Sequence, residues 1–498
     1  MAASLSIIIA FGIYLLAILL ISCGAFKATN TLSDYILGGR RLNSFVMALS
    51  AGASDMSGWL LMGLPGLIFL TGIRGVWIAI GLIIGAWLNW YFVAARLRLY
   101  TEKSGNAQTL PDFLSNRFED NSHLLRIIAT IAILIFFTLY CSSGIVAGAR
   151  LFENMFGLSY TTALWIGAMI TISYVFIGGF LAISWVDTIQ ASLIITALIA
   201  TPLVIIHANG GIASSIQAIQ LIHPDNLNFF NQLDAIGIIS FLAWGLGYFG
   251  QPHILVRFMA AKSATAIPSA RRISMTWMIG CLAGAIAVGF LGSAYFALHA
   301  DLAMTVNAHP ESVFMEVVKQ LVHPWIAGFL LAAILAVIMS ALSCQLLVCS
   351  SALTEDIYKI FIRKQASQTE LVWCGRLGVL LISAIAMVIA SNPESQVLKM
   401  VSYAWAGFGA AFGPVVLLSL IWPRMTRSGA LAGIITGTLT VLIWKHFAWF
   451  NLYEILPGFI IAFLSIIIVS KLSRLPAFSI KKSFVLVNRE MKAAAVSS

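Results

Sequence analysis

Ser44-Phe-Val-Met-Ala-Leu-Ser-Ala-Gly-Ala-Ser-Asp55-Met-Ser-Gly-Trp-Leu-Leu-Met-Gly-Leu-Pro-Gly-Leu-Ile-Phe-Leu70 is long and apolar enough to cross a bilayer, yet it holds a carboxylate near its middle. An aspartate at the centre of a membrane helix costs roughly 2.5 to 3.5 kcal/mol on insertion scales, so Asp55 demands a partner and marks a candidate ion or proton site. Gly52, Ala53, Ser54, Ser57 and Gly58 around it are poor material for a continuous lipid-facing helix, so exposed backbone carbonyls are expected here.

The rest of the chain sets the class. Of its 498 residues 60% are hydrophobic and 10% charged, and runs of about 20 apolar residues recur, which excludes an ordinary soluble globule. The reading is an all-α polytopic membrane protein with about thirteen spans, centred near residues 14, 57, 87, 136, 170, 196, 245, 286, 340, 381, 408, 437 and 463. The first run has no basic n-region and reads as a retained span. With the N-terminus outside, 24 of the 29 Lys and Arg residues fall on one side, the positive-inside signature of a protein whose N-terminus is outside and whose C-terminus is cytoplasmic. That asymmetry accounts for the net charge of +10, suits anionic lipid, and removes the need for a nucleic-acid partner.

The hydrophilic connections are too short for a separate soluble domain, and the tail, about 473–498, cannot house a signalling module. A single transmembrane domain over residues 1–498 is therefore expected, and no obligate protein partner is implied. The six cysteines lie in or beside apolar segments without zinc-type pairing and read as small packing residues. Neither a His-Glu-x-x-His metal motif nor a Gly-x-Ser-x-Gly nucleophile elbow is present, so an intramembrane enzyme is not the expectation.

A second span is interrupted like the first. Phe241-Leu-Ala-Trp244-Gly-Leu-Gly-Tyr248-Phe-Gly-Gln-Pro252-His253 places three glycines and a proline at mid-membrane depth. The two breaks lie five spans apart, as expected if spans 2–6 (about 43–207) and 7–11 (about 233–421) form inverted repeats, each led by a broken helix. Paired interruptions of this kind point to a midplane binding site. Trp244, Tyr248 and Tyr140 offer aromatic faces and hydroxyls suited to a small solute with one apolar side. Val337-Ile-Met-Ser340-Ala-Leu-Ser343 supplies hydroxyls at helical spacing for a hard cation, although serines in membrane helices more often bond their own backbone.

Asp34-Tyr-Ile-Leu-Gly-Gly-Arg40, Ala51-Gly-Ala-Ser-Asp55-Met-Ser-Gly-Trp59, Phe176-Ile-Gly-Gly-Phe-Leu-Ala-Ile-Ser-Trp185-Val-Asp187 and Gly245-Leu-Gly-Tyr-Phe-Gly-Gln-Pro-His253-Ile-Leu together resemble the bacterial sodium/proline symporters of the sodium:solute symporter family. The resemblance runs to about residue 475 and implies a LeuT-type 5+5 inverted repeat with broken helices 2 and 7. It further implies sodium as coupling ion, L-proline as solute, and no organic cofactor. Residue by residue, it places sodium at the carbonyls of Ala53, Met56 and Val337 and the hydroxyl of Ser340, with Asp55 and Ser57 at hand. Proline is placed against Trp59, Tyr140, Trp244, Tyr248 and the Pro252 bend, beside Asp55 and Ser57, while Arg40 and Asp187 match positions linked to the ion path. For Arg40 one more positive-inside residue competes with that role, and for Asp187 a solvated acid at a helix start. The family commonly has a second hydroxyl after the Ser340 position, where this chain has Ala341, so the implied site is one side-chain oxygen short. Another small amino acid or carboxylate, proton coupling, or a membrane solute sensor are the rival readings.

Overall fold

Helix ends fall where apolar runs meet side chains able to satisfy the first free N–H groups. Asn43, Thr109, Asp234, Ser367 and Thr426 each accept a backbone N–H three residues on and open the helices Ser44–Asp55, Leu110–Arg117, Ala235–Leu242, Gln368–Ala390 and Arg427–Phe447. The computed structural model describes residues 5–26, 32–177, 180–230 and 232–496. Lys27 of the charge count, Gly178 and Gly179 of the third motif and the last two residues of the tail lie outside them.

Among the described residues the fold is helical, and nine helical stretches are long and apolar enough to span a bilayer. The sequence reading of about thirteen spans counts in addition the shorter apolar helices near residues 14 and 170 and the two interrupted segments, whose breaks divide them into short pieces. Pro324–Ile362 and Val397–Ile421 are the innermost, with 89% of the most apolar stretch of each buried in the protein, whereas Arg427–Phe447 is 28% buried. Exposed Leu70, Ile84, Trp87, Leu203, Leu377 and Val388 form the apolar exterior that lipid would cover.

Both interruptions are real and differ in form. The first helix stops at Asp55, Met56 takes φ −80° and ψ 84°, and a π-helical turn, Trp59–Gly63, leads into Leu64–Thr71. The second passes from Ala235–Leu242 into a 3-10 turn, Ala243–Gly250, then an extended Gln251, and restarts at Pro252–Met259. Proline fits there because a first-turn N–H has no helical acceptor to lose. The two interrupted segments are tied at their arginine-rich ends, where Leu42 N–H donates to Ala260 O (3.2 Å) and Lys262 N–H to Leu42 O (2.9 Å). The tail forms a helix, Phe478–Val496, laid against Ala95–Lys103 through a Lys103–Glu490 ion pair (2.7 Å) and a Tyr100–Phe484 ring contact.

Candidate functional site

The first break frees backbone oxygen. Ser57 N–H bonds Asp55 O (3.0 Å) and Leu60 N–H bonds Ser57 O (3.0 Å), so neither makes the i to i−4 bond that would occupy the carbonyls of Ala53 and Met56. These are two of the carbonyls expected to hold sodium. Gly58 lets this turn seat against its neighbours: a Cβ there would meet Ala147 Cβ at 2.8 Å and Ile338 Cγ1 at 3.5 Å. The break therefore adjoins helix Pro324–Ser351 one residue from Val337.

The second break comes to the first through Tyr248, whose hydroxyl donates to Asp55 Oδ2 at 2.5 Å. The other oxygen of Asp55 is buried without a hydrogen-bond partner, and the buried hydroxyls of Ser57 and Tyr140 have none beyond each other. Aromatic rings wall this region. Trp59 donates from its indole to Asp55 O (3.4 Å) and lies 6.5 Å from Trp244, which stacks on Tyr453 at 5.4 Å. Trp405 donates to Trp244 O (2.7 Å) and meets Tyr248 edge-on at 5.1 Å. Gly247 is required for that approach, because a Cβ would stand 1.9 Å from the Trp405 indole nitrogen. Tyr140 packs on His253 at 5.9 Å, in the helix that Pro252 opens.

Ser340 and Asp187 lie in a second polar cluster. Ser340 Oγ donates to Asp187 Oδ1 (2.6 Å) and Ser50 Oγ to Asp187 Oδ2 (2.7 Å), while Arg257 Nη2 lies 3.4 Å from Oδ2. Arg257 also donates to His253 O (2.8 Å) and to Ser50 Oγ (3.3 Å), and it touches Cys344 Sγ. Asp187 and Arg257 are both fully buried. Two sequence expectations change here. Asp187 sits within helix Phe180–Ala208 as half of a buried ion pair, not as a solvated acid at a helix start. Arg257, one of the 24 basic residues assigned by charge to the inner side, is that acid's partner, and its signal was a second charge inside an apolar segment. Ser343 donates to Ser340 O (2.8 Å), the backbone bond expected of membrane serines.

Arg40 is more than one further surface charge. With φ at 55°, it donates to Asn106 Oδ1 (3.0 Å), Thr101 Oγ1 (3.1 Å), Met259 O (2.5 Å) and Ala107 O (2.8 Å), clamping both interrupted segments at one end. Burial, with nearby Arg98 second, lowers its pKa to about 10. At the opposite face, Glu311 accepts the N–H groups of Val397 (3.2 Å) and Leu398 (3.0 Å), so a loop carboxylate caps helix Val397–Ile421. Glu311, Trp405 and Tyr453 escaped the sequence reading because each acts across a long sequence separation.

A helical membrane protein with two interrupted helices meeting over a buried carboxylate, with unsatisfied carbonyls and hydroxyls around it, is a secondary transporter by architecture. The chain belongs to the sodium:solute symporter family, whose model matches residues 35–437. It is 60% identical over 484 residues to a protein of Escherichia coli (strain K12) named sodium/proline symporter, covering 97% of this chain and 96% of that one. It is 52% identical over 467 residues to the high-affinity proline transporter PutP of Bacillus subtilis (strain 168), covering 94% and 98%. Among solved structures, a sodium-coupled sialic acid symporter in a substrate-bound outward-open state superposes with a TM-score of 0.82 at 18% identity, over 95% of this chain and 99% of that one, a likeness of fold.

Proposed function

We propose that this chain takes up L-proline across the bacterial cytoplasmic membrane, coupled to sodium, by alternating access. The identity to named proline symporters supports the solute. The observation that carries the mechanism is the meeting of the two helix breaks at the Tyr248–Asp55 bond of 2.5 Å. The N-terminus is outside and the tail cytoplasmic, so the arginine-rich face carrying Arg40 is the inner one. The repeats are residues 43–207 and 233–421.

Sodium is held by the carbonyls of Ala53, Met56 and Val337 and by Ser340 Oγ. Ser340 donates its hydroxyl hydrogen bond to Asp187, which leaves its oxygen lone pairs for a cation and makes that oxygen more electron-rich. Asp55 and Ser57 stand beside this set, and proline lies against Trp59, Tyr140, Trp244, Tyr248 and the Pro252 bend. Arg40 and Asp187 line the route of the ion to the cytoplasm. Cation binding stabilises the arrangement that accepts proline, and rocking of the repeats exposes both to the other side. One sodium moving down ~100 mV supplies about 2.3 kcal/mol. A tenfold sodium gradient adds about 1.4, together enough for roughly 500-fold accumulation of a zwitterion at one-to-one coupling.

Labelled proline uptake into proteoliposomes, with sodium and proton gradients imposed separately and unlabelled amino acids and carboxylates as competitors, tests this reading. Uptake driven by sodium and competed best by proline is expected; uptake driven by protons alone, or competed better by another solute, overturns it.

A further inference from the structure

A small cavity of about 10 Å³, room for a single water-sized occupant, is lined by Asp55, Asn89, Tyr248, Ser274 and Met278 among others. Asp55 Oδ1 and both polar atoms of the Asn89 amide are buried without a hydrogen-bond partner. Asp55 is 3% exposed and Asn89 1%, so bulk water does not satisfy them. Asn89 is the last residue of helix Val76–Asn89, and the π-helical turn Trp90–Ala94 follows directly. Such turns are often found at functional positions.

Three helices besides the first broken one thus bring polar groups to one enclosed point. No lysine, arginine or histidine lines the cavity, so nothing on its wall balances the carboxylate, and a buried charge without a counter-ion is strongly destabilising. A water there would satisfy the amide but leave the charge. The groups available are hard oxygens, the set suited to a small hard cation, and one carboxylate matches a single positive charge. Tyr248 holds Oδ2 and leaves Oδ1 for the cavity. Met56 of the carbonyl set lines it, whereas Val337 and Ser340 do not, and Ser340 is engaged with Asp187.

We propose that Asp55 Oδ1, Asn89 Oδ1 and Ser274 Oγ form a monovalent-cation subsite that adjoins the Ala53, Met56, Val337 and Ser340 set on its Met56 side. The inference rests on the sodium-coupled reading above. Asn89 and Ser274 then set sodium affinity without touching proline.

The test is binding of radiolabelled sodium to the purified full-length protein without proline, together with proline uptake in proteoliposomes, for Asn89→Leu, Asn89→Ser and Ser274→Ala. Asn89→Leu keeps the shape and removes the oxygen; it is expected to weaken sodium binding about tenfold or more, as for loss of a hydrogen-bonding group to a charge. The proline half-saturation at saturating sodium stays near the parent's. Asn89→Ser keeps an oxygen and recovers most of the affinity, which a packing role would not produce. Parental sodium affinity in Asn89→Leu, or equal impairment in the leucine and serine variants, overturns the subsite. If Asn89→Leu does not fold, Ser274→Ala decides: weakened sodium binding supports the proposal and unchanged binding refutes it. Sodium-independent uptake by the parent would instead refute the function on which the proposal rests.

Discussion

Ser340 Oγ donates to Asp187 Oδ1 across 2.6 Å, joining the residue expected to hold sodium to the acid expected on the ion path. Asp187 in turn is held by Ser50 and Arg257. The proposed sodium site and the buried ion pair are thereby parts of one hydrogen-bonded cluster, and perturbing either should be felt at the other.

The position after Ser340 gives the first consequence. Ala341 is 2% exposed and contributes no oxygen. Ala341→Thr should tighten apparent sodium affinity, and Ala341→Ser should do so with less crowding, since overpacking a core costs about 1–3 kcal/mol. The check is the sodium concentration at half-maximal proline uptake, which should fall in at least the serine variant; the same value in both variants as in the parent contradicts the prediction.

Breaking the buried pair should be severe, and removing both halves less so. Arg257→Met leaves Asp187 buried and uncompensated, at a cost of about 3–5 kcal/mol. The double variant Asp187→Asn with Arg257→Met should unfold at a higher temperature than the sum of the two single losses implies. Strictly additive losses would mean the 3.4 Å contact does not couple the two residues.

Tyr248→Phe removes the donor to Asp55, a hydrogen bond to a charged group of about 1.5–3 kcal/mol. The variant should be less thermostable than the parent in sodium-free buffer. Saturating sodium should narrow that gap, because a bound cation takes over compensation of the carboxylate. A gap that sodium leaves unchanged would contradict this.

Glu311 supplies a pH signature. Burial, opposed by the N–H groups of Leu398 and Val397 and by Arg150 and Lys399, raises its pKa above the ordinary glutamate value. A carboxyl raised in the folded state contributes stability in full below its unfolded pKa and loses it as pH climbs through the folded one. Glu311→Gln keeps an acceptor for the helix cap and cannot ionise. Its thermal midpoint should gain on the parent's as pH rises from below the ordinary glutamate range; parallel curves would rule this out.

Much of the architecture was legible because it rests on local chemistry. Gly52 to Gly58 and Gly245 to Pro252 cannot sustain helix, and Asp55 cannot stay uncompensated in an apolar run, so the breaks and their meeting point follow from residue type. Arg257 was misread because an arginine near a span end satisfies the positive-inside pattern, and only the packing of Pro252–Met259 against Ser44–Asp55 turns it inward, where its side chain meets Asp187. Asn89, Trp405 and Tyr453 left no local signal. Asn89 is one polar residue in an apolar helix, and the two aromatics look like any other packing rings until the fold sets them beside Trp244 and Tyr248.

The central claim is that Asp55 couples the cation to the solute. Sodium-stimulated proline uptake by purified Asp55→Asn in proteoliposomes tests it most directly. The account predicts loss of sodium stimulation in a variant that still inserts and unfolds cooperatively; normal stimulation in that variant would contradict it.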